Sequence, residues 1–234
     1  IAERNSRLLK SEPTMVSWAD WPDSLDVDSI RTRIEALSRR PKTPLFKAAD
    51  QPVSEIEIDA WMANLNLDNI HPSGNELFGM VVARAPLRRF PSGQRAFDAE
   101  GGVDIDRLQE SALFPGTPVA VLHESRDGKW LFVQAENYAA WMSADDVAIA
   151  PRNTVMAYAV KQPLRYLTGS QVRTVFLPYA NNPYAKDFSE LVLDMGSSFP
   201  VRSVWPLSEP ISGQGSLGSW IVELPLRAHS GTLD

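Results

Sequence analysis

Residues 117–149, TPVAVLHESRDGKWLFVQAENYAAWMSADDVAI, leave the chain around them few options. Val119, Val121 and His123 alternate with Ala120 and Leu122, the period of two that belongs to a β-strand. Asp127-Gly128 then supplies a tight hairpin. On the return strand Trp130, Phe132 and Gln134 share one face, and Leu131 and Val133 share the other. Tyr138 to Trp141 begins a further short strand. Short strands at this spacing, joined by Gly, Pro and Asp turns, predict a small barrel.

The flanking sequence extends the pattern in both directions. Residues 79–93, GMVVARAPLRRFPSG, alternate loosely and are interrupted by Pro86 and Pro91. Beyond Pro151, strands are expected at 154–160, 173–178, 190–201 and 219–226. Residues 179–188 read as a loop, and SGQGSLGS at 212–219 reads as a flexible hairpin tip. No strict repeat is present, but two successive small β-barrels fit this layout.

The first 75 residues follow a different period. Val27, Ile30, Ile34 and Leu37 recur at helical spacing within 26–40. Asp26 or Asp28 can cap the start, and Arg39-Arg40 suit the C-terminal end before Pro41. A second helix is expected over 54–66, opened by a Ser54/Glu57 capping box and buried through Ile58, Trp61, Met62 and Leu65. Between Thr14 and Leu25 the aromatic-rich stretch is broken by Pro22 and reads as a loop anchored by Trp18 and Trp21.

Composition narrows the chemistry. The 234 residues are 44% hydrophobic and 22% charged, an ordinary globular balance. The net charge of −6 argues against a generally basic, nucleic-acid-binding surface, while leaving room for a local basic patch. No apolar run reaches the roughly 18 residues that a membrane-spanning helix needs. With no cysteine there is no disulfide, thiolate metal site or cysteine nucleophile. His71, His123 and His229 are far apart and lack ligand spacing, so neither a metal nor a cofactor is expected. The chain opens on Ile1 without a charged, apolar leader, which reads as a processed or trimmed start.

Residues 105–148 resemble the first bacterial SH3-like domain of NlpC-type cell-wall peptidases. The resemblance is carried, in order, by Asp-Arg-Leu-Gln-Glu at 106–110, Pro-Gly-Thr-Pro-Val at 115–119, His-Glu-Ser-Arg-Asp-Gly-Lys-Trp at 123–130, and Trp141 followed by Asp145-Asp146-Val147. Residues 76–92 resemble the opening of the same domain, and 1–75 its N-terminal stabilising segment. Residues 189–201 and 219–227 resemble the second SH3-like domain more loosely. The fold class so implied is mainly β with an α-helical N-terminal segment and two small SH3-like barrels in tandem. Its expected limits are 1–75, 76–152 and 153–234. Relatives of this kind cleave peptidoglycan stem peptides between D-glutamate and a diamino acid, using a following domain with an Asp-Cys-Ser motif and later histidines. Without a cysteine this chain is not such an enzyme as it stands. It reads as a fragment or as a relative without the catalytic domain. The implied location is the periplasm or cell envelope, and the implied partners are stem peptide and a C-terminal peptidase domain.

In that family the first SH3-like domain restricts the cleft to stem peptides with a free amine, through acidic and tyrosine side chains. Tyr138 is the position to carry over, either as a ligand contact or as a cap on the barrel core. Glu110 is the acidic candidate for an amine, set against its reading as a surface carboxylate of little energetic value. Asp106 and Arg107 complete the candidate set, with local pairing the favoured reading for both. Trp130 and Trp141 are expected to fill the barrel, Trp141 having the better claim to a partly exposed ligand edge because Ala139 and Ala140 precede it. His123, Ser125 and Asp127 resemble a hydrolase residue set, but they crowd into five positions beside a hairpin, and a triad needs convergence from separate elements. His123 is therefore expected to be a hydrogen-bonded structural histidine. The expected function is a non-catalytic accessory region that positions cell-wall peptide. The alternative is an envelope interaction module for extended or proline-rich protein segments.

Overall fold

The computed structural model describes residues 15–48, 51–74, 77–98, 103–176, 189–202, 204–206, 208–211 and 215–234. The loop expected at 179–188 lies outside them, as does part of the stretch 212–219. The protein is mainly β, built around one large sheet with a few helices.

Two helices precede the sheet. Helix α1 spans Val27–Leu37, and Asp26 caps it by accepting a 2.8 Å hydrogen bond from the Ser29 amide. Its Ile30 and Ile34 are fully buried. Helix α2 spans Glu55–Asn64 and begins with the expected capping box: the Ser54 amide donates to Glu57 Oε2 at 2.9 Å, and the Glu57 amide donates to Ser54 Oγ at 3.3 Å. Ile58, Trp61 and Leu65 are its buried stripe, while Met62 is half-buried.

The sheet holds seven antiparallel strands: β3 (Phe78–Val81), β4 (Ala85–Arg88), β5 (Gln109–Leu113), β6 (Pro118–Glu124), β7 (Trp130–Gln134), β8 (Ala139–Ser143) and β9 (Val147–Ala150). Their spatial order is β5-β4-β8-β7-β6-β3-β9. A small ladder of β1 (Ser24–Leu25) with β2 (Ser73–Gly74) lies outside it. The hairpin between β6 and β7 turns through Asp127 and Gly128, where Gly128 takes a φ of +69°. Gly79 is required on different grounds: a Cβ there would run into Val147 Cγ1 on the neighbouring strand.

Each face of this sheet is buried against something different. Val81, Leu87, Val119, Leu131, Val133, Met142 and Val147 pack together as an interior of sheet residues. They come from strands widely separated in the sheet order, so the sheet must curl for them to meet. Phe78, Met80, Leu122, Phe132 and Trp141 line the opposite face and pack under Ile30, Ile34, Ile58 and Trp61 of the two helices. Phe132 and Leu131 thus fall on opposite sides, as their alternation predicts. Trp18 packs edge-on against Phe78 and Trp21, the anchoring expected of that loop.

Trp141 corrects one expectation. It has no exposed edge and lies on the face covered by the helices. Its Nε1 donates to Ser38 Oγ at 3.1 Å, and Ser38 Oγ donates to the Arg89 carbonyl at 2.7 Å. Trp130, given the weaker claim to an open edge, is the one that stays partly exposed. Alternation separates the two faces of a strand, but only a packed neighbour determines which face is closed.

The strand expected over 154–160 is a helix, α3 (Arg152–Ala159). Pro151 sets up its start with φ −59°, and Val155 is fully buried against the sheet, where one turn of helix places it with Met156 and Tyr158. Docking outweighs the β-branched Thr154 and Val155. After it the strands are short: β10 (Leu164–Tyr166) pairs with β13 (Ser198–Pro200), and β11 (Gln171–Arg173) pairs with β12 (Val192–Asp194). Residues 219–226 contribute a single bridge, Val222 to Val201. The tail then returns to the large sheet, where Ile149 donates to Gly231 O and Leu233 donates to Ile149 O, both at 2.9 Å.

Ser38→Ala leaves the Trp141 N–H buried without its acceptor, and the expected loss of stability is about 1–3 kcal/mol. Trp141→Ala, which also empties a core position, is expected to cost about 3–5 kcal/mol. Urea unfolding of both variants measures the difference; an unchanged midpoint for Ser38→Ala would show that the indole bond adds nothing.

Candidate functional site

Where the loop after α1 faces β5, a cleft of about 600 Å³ opens. Its walls include Arg39 and Lys42 from the loop, Arg89 just past β4, and Asp106, Arg107 and Glu110 at the start of β5. β5 is the last strand on its side of the sheet, and Gln109, Glu110 and Ser111 are exposed along it. Four of the five residues singled out from the sequence come together in or beside this cleft. Trp141 does not reach it, being buried beneath the helices.

Tyr138 and Glu110 form the exposed part of the site. Tyr138 sits at the turn into β8, half-buried, and donates from Oη to Glu110 Oε2 at 2.9 Å. Burial and the carboxylate together push the phenol up to about 12. Tyr138 therefore stays protonated and remains a donor throughout the physiological range. The bond uses one side of Glu110 and leaves the rest of an exposed carboxylate for a cationic or N–H donor.

Asp106 and Arg107 have structural partners. Asp106 forms a buried ion pair with Arg88, their side chains 7% and 4% exposed. Asp106 Oδ1 accepts from the Leu108 amide at 3.0 Å and the Ala96 amide at 3.2 Å. Arg88 also donates to the carbonyls of Ser92, at 3.1 Å, and Gln94. This pair ties the backbone of Ser92, Gln94, Ala96 and Leu108 to β4. Arg107 pairs on the surface with Asp98. Both residues thus have partners within the chain, Asp106 in Arg88 and Arg107 in Asp98.

The other constellation, at the β6–β7 hairpin, is structural. His123 Nε2 lies 3.1 Å from the Leu65 carbonyl, and burial holds its pKa below the ordinary histidine range. Ser125 Oγ donates to Asp127 Oδ1 at 2.6 Å and accepts from the Trp130 amide at 3.0 Å. Serine, aspartate and turn backbone thus close on one another, and His123 is tied to α2's end instead. Among the described residues no three histidine or acidic side chains converge as a metal would require.

Sequence reasoning missed the cationic wall. Arg39 and Arg40 read as complements to a helix end, and Arg89 as part of a loosely alternating strand. The available signal was two Arg-Arg pairs, at 39–40 and 88–89, with Lys42 nearby in an acidic chain.

Two outcomes follow from this geometry. Asp106→Asn should destabilise the fold by about 3–5 kcal/mol in urea unfolding, because Arg88 stays buried without its counter-charge. Glu110→Gln should lower the ionisation of Tyr138 from about 12 toward that of free tyrosine, read by NMR of labelled tyrosine. The sign follows from the bond: the carboxylate favours the neutral phenol, so this contribution to stability is intact below the ordinary tyrosine pKa and is lost as pH rises toward 12. No movement of Tyr138 in the variant would mean that the two side chains are not coupled.

Residues 95–143, from just before Phe97 to the end of β8, match the family model for the SH3 domain of SH3b1 type. Compared with curated proteins, the sequence matches none. Among solved structures, the chain is similar to an NlpC/P60 endopeptidase from Photobacterium damselae subsp. piscicida, with a TM-score of 0.67 at 18% identity. The likeness covers 93% of this chain and 46% of that one, so this chain spans about half the length of its structural neighbour. At that identity the similarity establishes a shared fold, and the SH3-type match spans the residues that include Glu110 and Tyr138.

Proposed function

We propose that this chain is a non-catalytic accessory region of a cell-wall peptidase, which binds peptidoglycan stem peptide and shapes the entrance to a neighbouring peptidase domain. Residues 1–75 serve as a stabilising segment, 76–152 as a first SH3-like barrel and 153–234 as a second. The observation that carries the reading is the Tyr138–Glu110 pair, 2.9 Å apart and open to solvent at the edge of the sheet. An ammonium group needs an anionic acceptor held in place, and the phenol holds this one. Support also comes from the SH3b1-type match over the same residues and from the shared fold with an NlpC/P60 endopeptidase. The chain has no cysteine to act as that family's nucleophile. The location we propose is the periplasm or cell envelope; among the described residues no helix is long and apolar enough to cross a membrane.

A second reading, a module for envelope protein partners, is favoured by one feature of the C-terminal part. Val204, Leu217 and Trp220 are 85%, 81% and 66% exposed, an unusual display of large apolar side chains.

Titration with a stem-peptide muropeptide bearing a free L-Ala amine separates the two. The peptide is expected to bind, its N-acetylated form to bind at least about tenfold more weakly, and Glu110→Gln to erase that difference, as loss of a charged hydrogen bond implies. Equal affinity for free and acetylated peptide sinks the amine role. No muropeptide binding, together with specific recovery of proteins from an envelope extract, favours the interaction module.

A further inference from the structure

We infer that the same cleft holds a second, oppositely charged subsite, in which Arg39, Lys42 and Arg89 receive a carboxylate of the bound peptide. The inference rests on the cleft being a peptide site and adds the charge pattern of its ligand.

The internal pairings identify which cations remain available. Arg40 is held by Asp59 at 2.6 Å and by Glu55. Arg107 is held by Asp98, and Asp106 is taken by Arg88. Arg39 and Lys42 line the cleft, are exposed, and make no side-chain hydrogen bond or ion pair among the described residues. Arg89 Nη2 donates to the Arg39 carbonyl at 3.0 Å, but its Nε is buried without a hydrogen-bond partner among the described residues. That buried N–H is closed to a ligand in the cleft, so Arg89 contributes to the subsite through its charge. Its charge also reaches Tyr138, whose phenol it pulls downward against the larger opposing influences of burial and Glu110. Arg89 and Glu110 line the same cleft, so the cationic wall shares it with the carboxylate that Tyr138 holds.

The charges on the two walls select the ligand. An acidic chain with Glu110 in the cleft repels a polyanion, so a phosphate-rich polymer fits poorly. A short peptide with one amine and one carboxylate meets Glu110 with the first and the cations of the cleft with the second. A cleft of about 600 Å³ lies in the usual range for such a ligand.

The test uses the 234-residue chain and a matched pair of probes: the dipeptide L-Ala-D-Gln, with free amine and free carboxylate, and its C-terminal amide. Affinity is measured by NMR titration for the wild type and for the double variant Arg39→Gln/Lys42→Gln, whose changed side chains are exposed and unpaired. The acid is expected to bind the wild type at least about tenfold more tightly than the amide, and the double variant is expected to collapse that ratio toward one. Added salt should weaken the acid more than the amide in the wild type. Equal binding of acid and amide to the wild type, or an unchanged ratio in the double variant, overturns the carboxylate subsite while leaving the amine site standing. Failure of both probes to bind at millimolar concentration overturns the subsite and the peptide reading together.

Discussion

The hydrogen bond from Trp141 to Ser38, continued from Ser38 to the Arg89 carbonyl, determines where the helical segment rests on the sheet. The indole belongs to the middle of the sheet, the hydroxyl to the residue that ends α1, and the carbonyl to the residue just past β4. Three separate elements are therefore held at one buried point, where no water can substitute for a lost partner. Because α1 stops there, Arg39, Arg40 and Lys42 emerge directly opposite β5. The cleft is thus a consequence of how the helix is docked, and of its residues Arg89 alone takes part in that buried contact, through its carbonyl.

Electrostatics then divides the cleft's surroundings by depth. The buried ion pair of Arg88 with Asp106 is saturated by backbone groups and holds Ala96 and Leu108 against β4. Above it, exposed charges are only partly matched, and the Tyr138–Glu110 bond orients one of them. Buried charge here builds the scaffold, and the exposed charge of the cleft is only partly paired.

The sequence made part of this legible. Both N-terminal helices are encoded locally, by Asp26, by the Ser54–Glu57 box and by apolar residues at helical spacing, so they could be placed without knowing the fold. The β6–β7 hairpin was equally local, set by Asp127-Gly128 and by an alternation that a register shift between Val121 and His123 interrupts. What could not be read was tertiary. Alternation separated Phe132 from Leu131 but could not say that Trp141 would be roofed by helices. Thr154 and Val155 carry strand propensity, yet Val155 is buried by a helix that follows Pro151. At the site, resemblance brought out Tyr138 and Glu110, whereas Arg89 and Lys42 come from segments distant in sequence and acquire a common role only once the chain has folded.

The return of the tail to β9 bears on how the molecule protects itself during folding. Strand β9 ends the large sheet on one side, and an uncovered strand edge can recruit a strand from another molecule. Here that edge is covered by residues 231–233, far along the chain from Ile149, so it is shielded only after a long loop has closed. Until then a nearly complete sheet would present an open edge to its neighbours. Shielding of that edge is thereby tied to the arrival of residues 231–233, even though they line no part of the cleft beside β5.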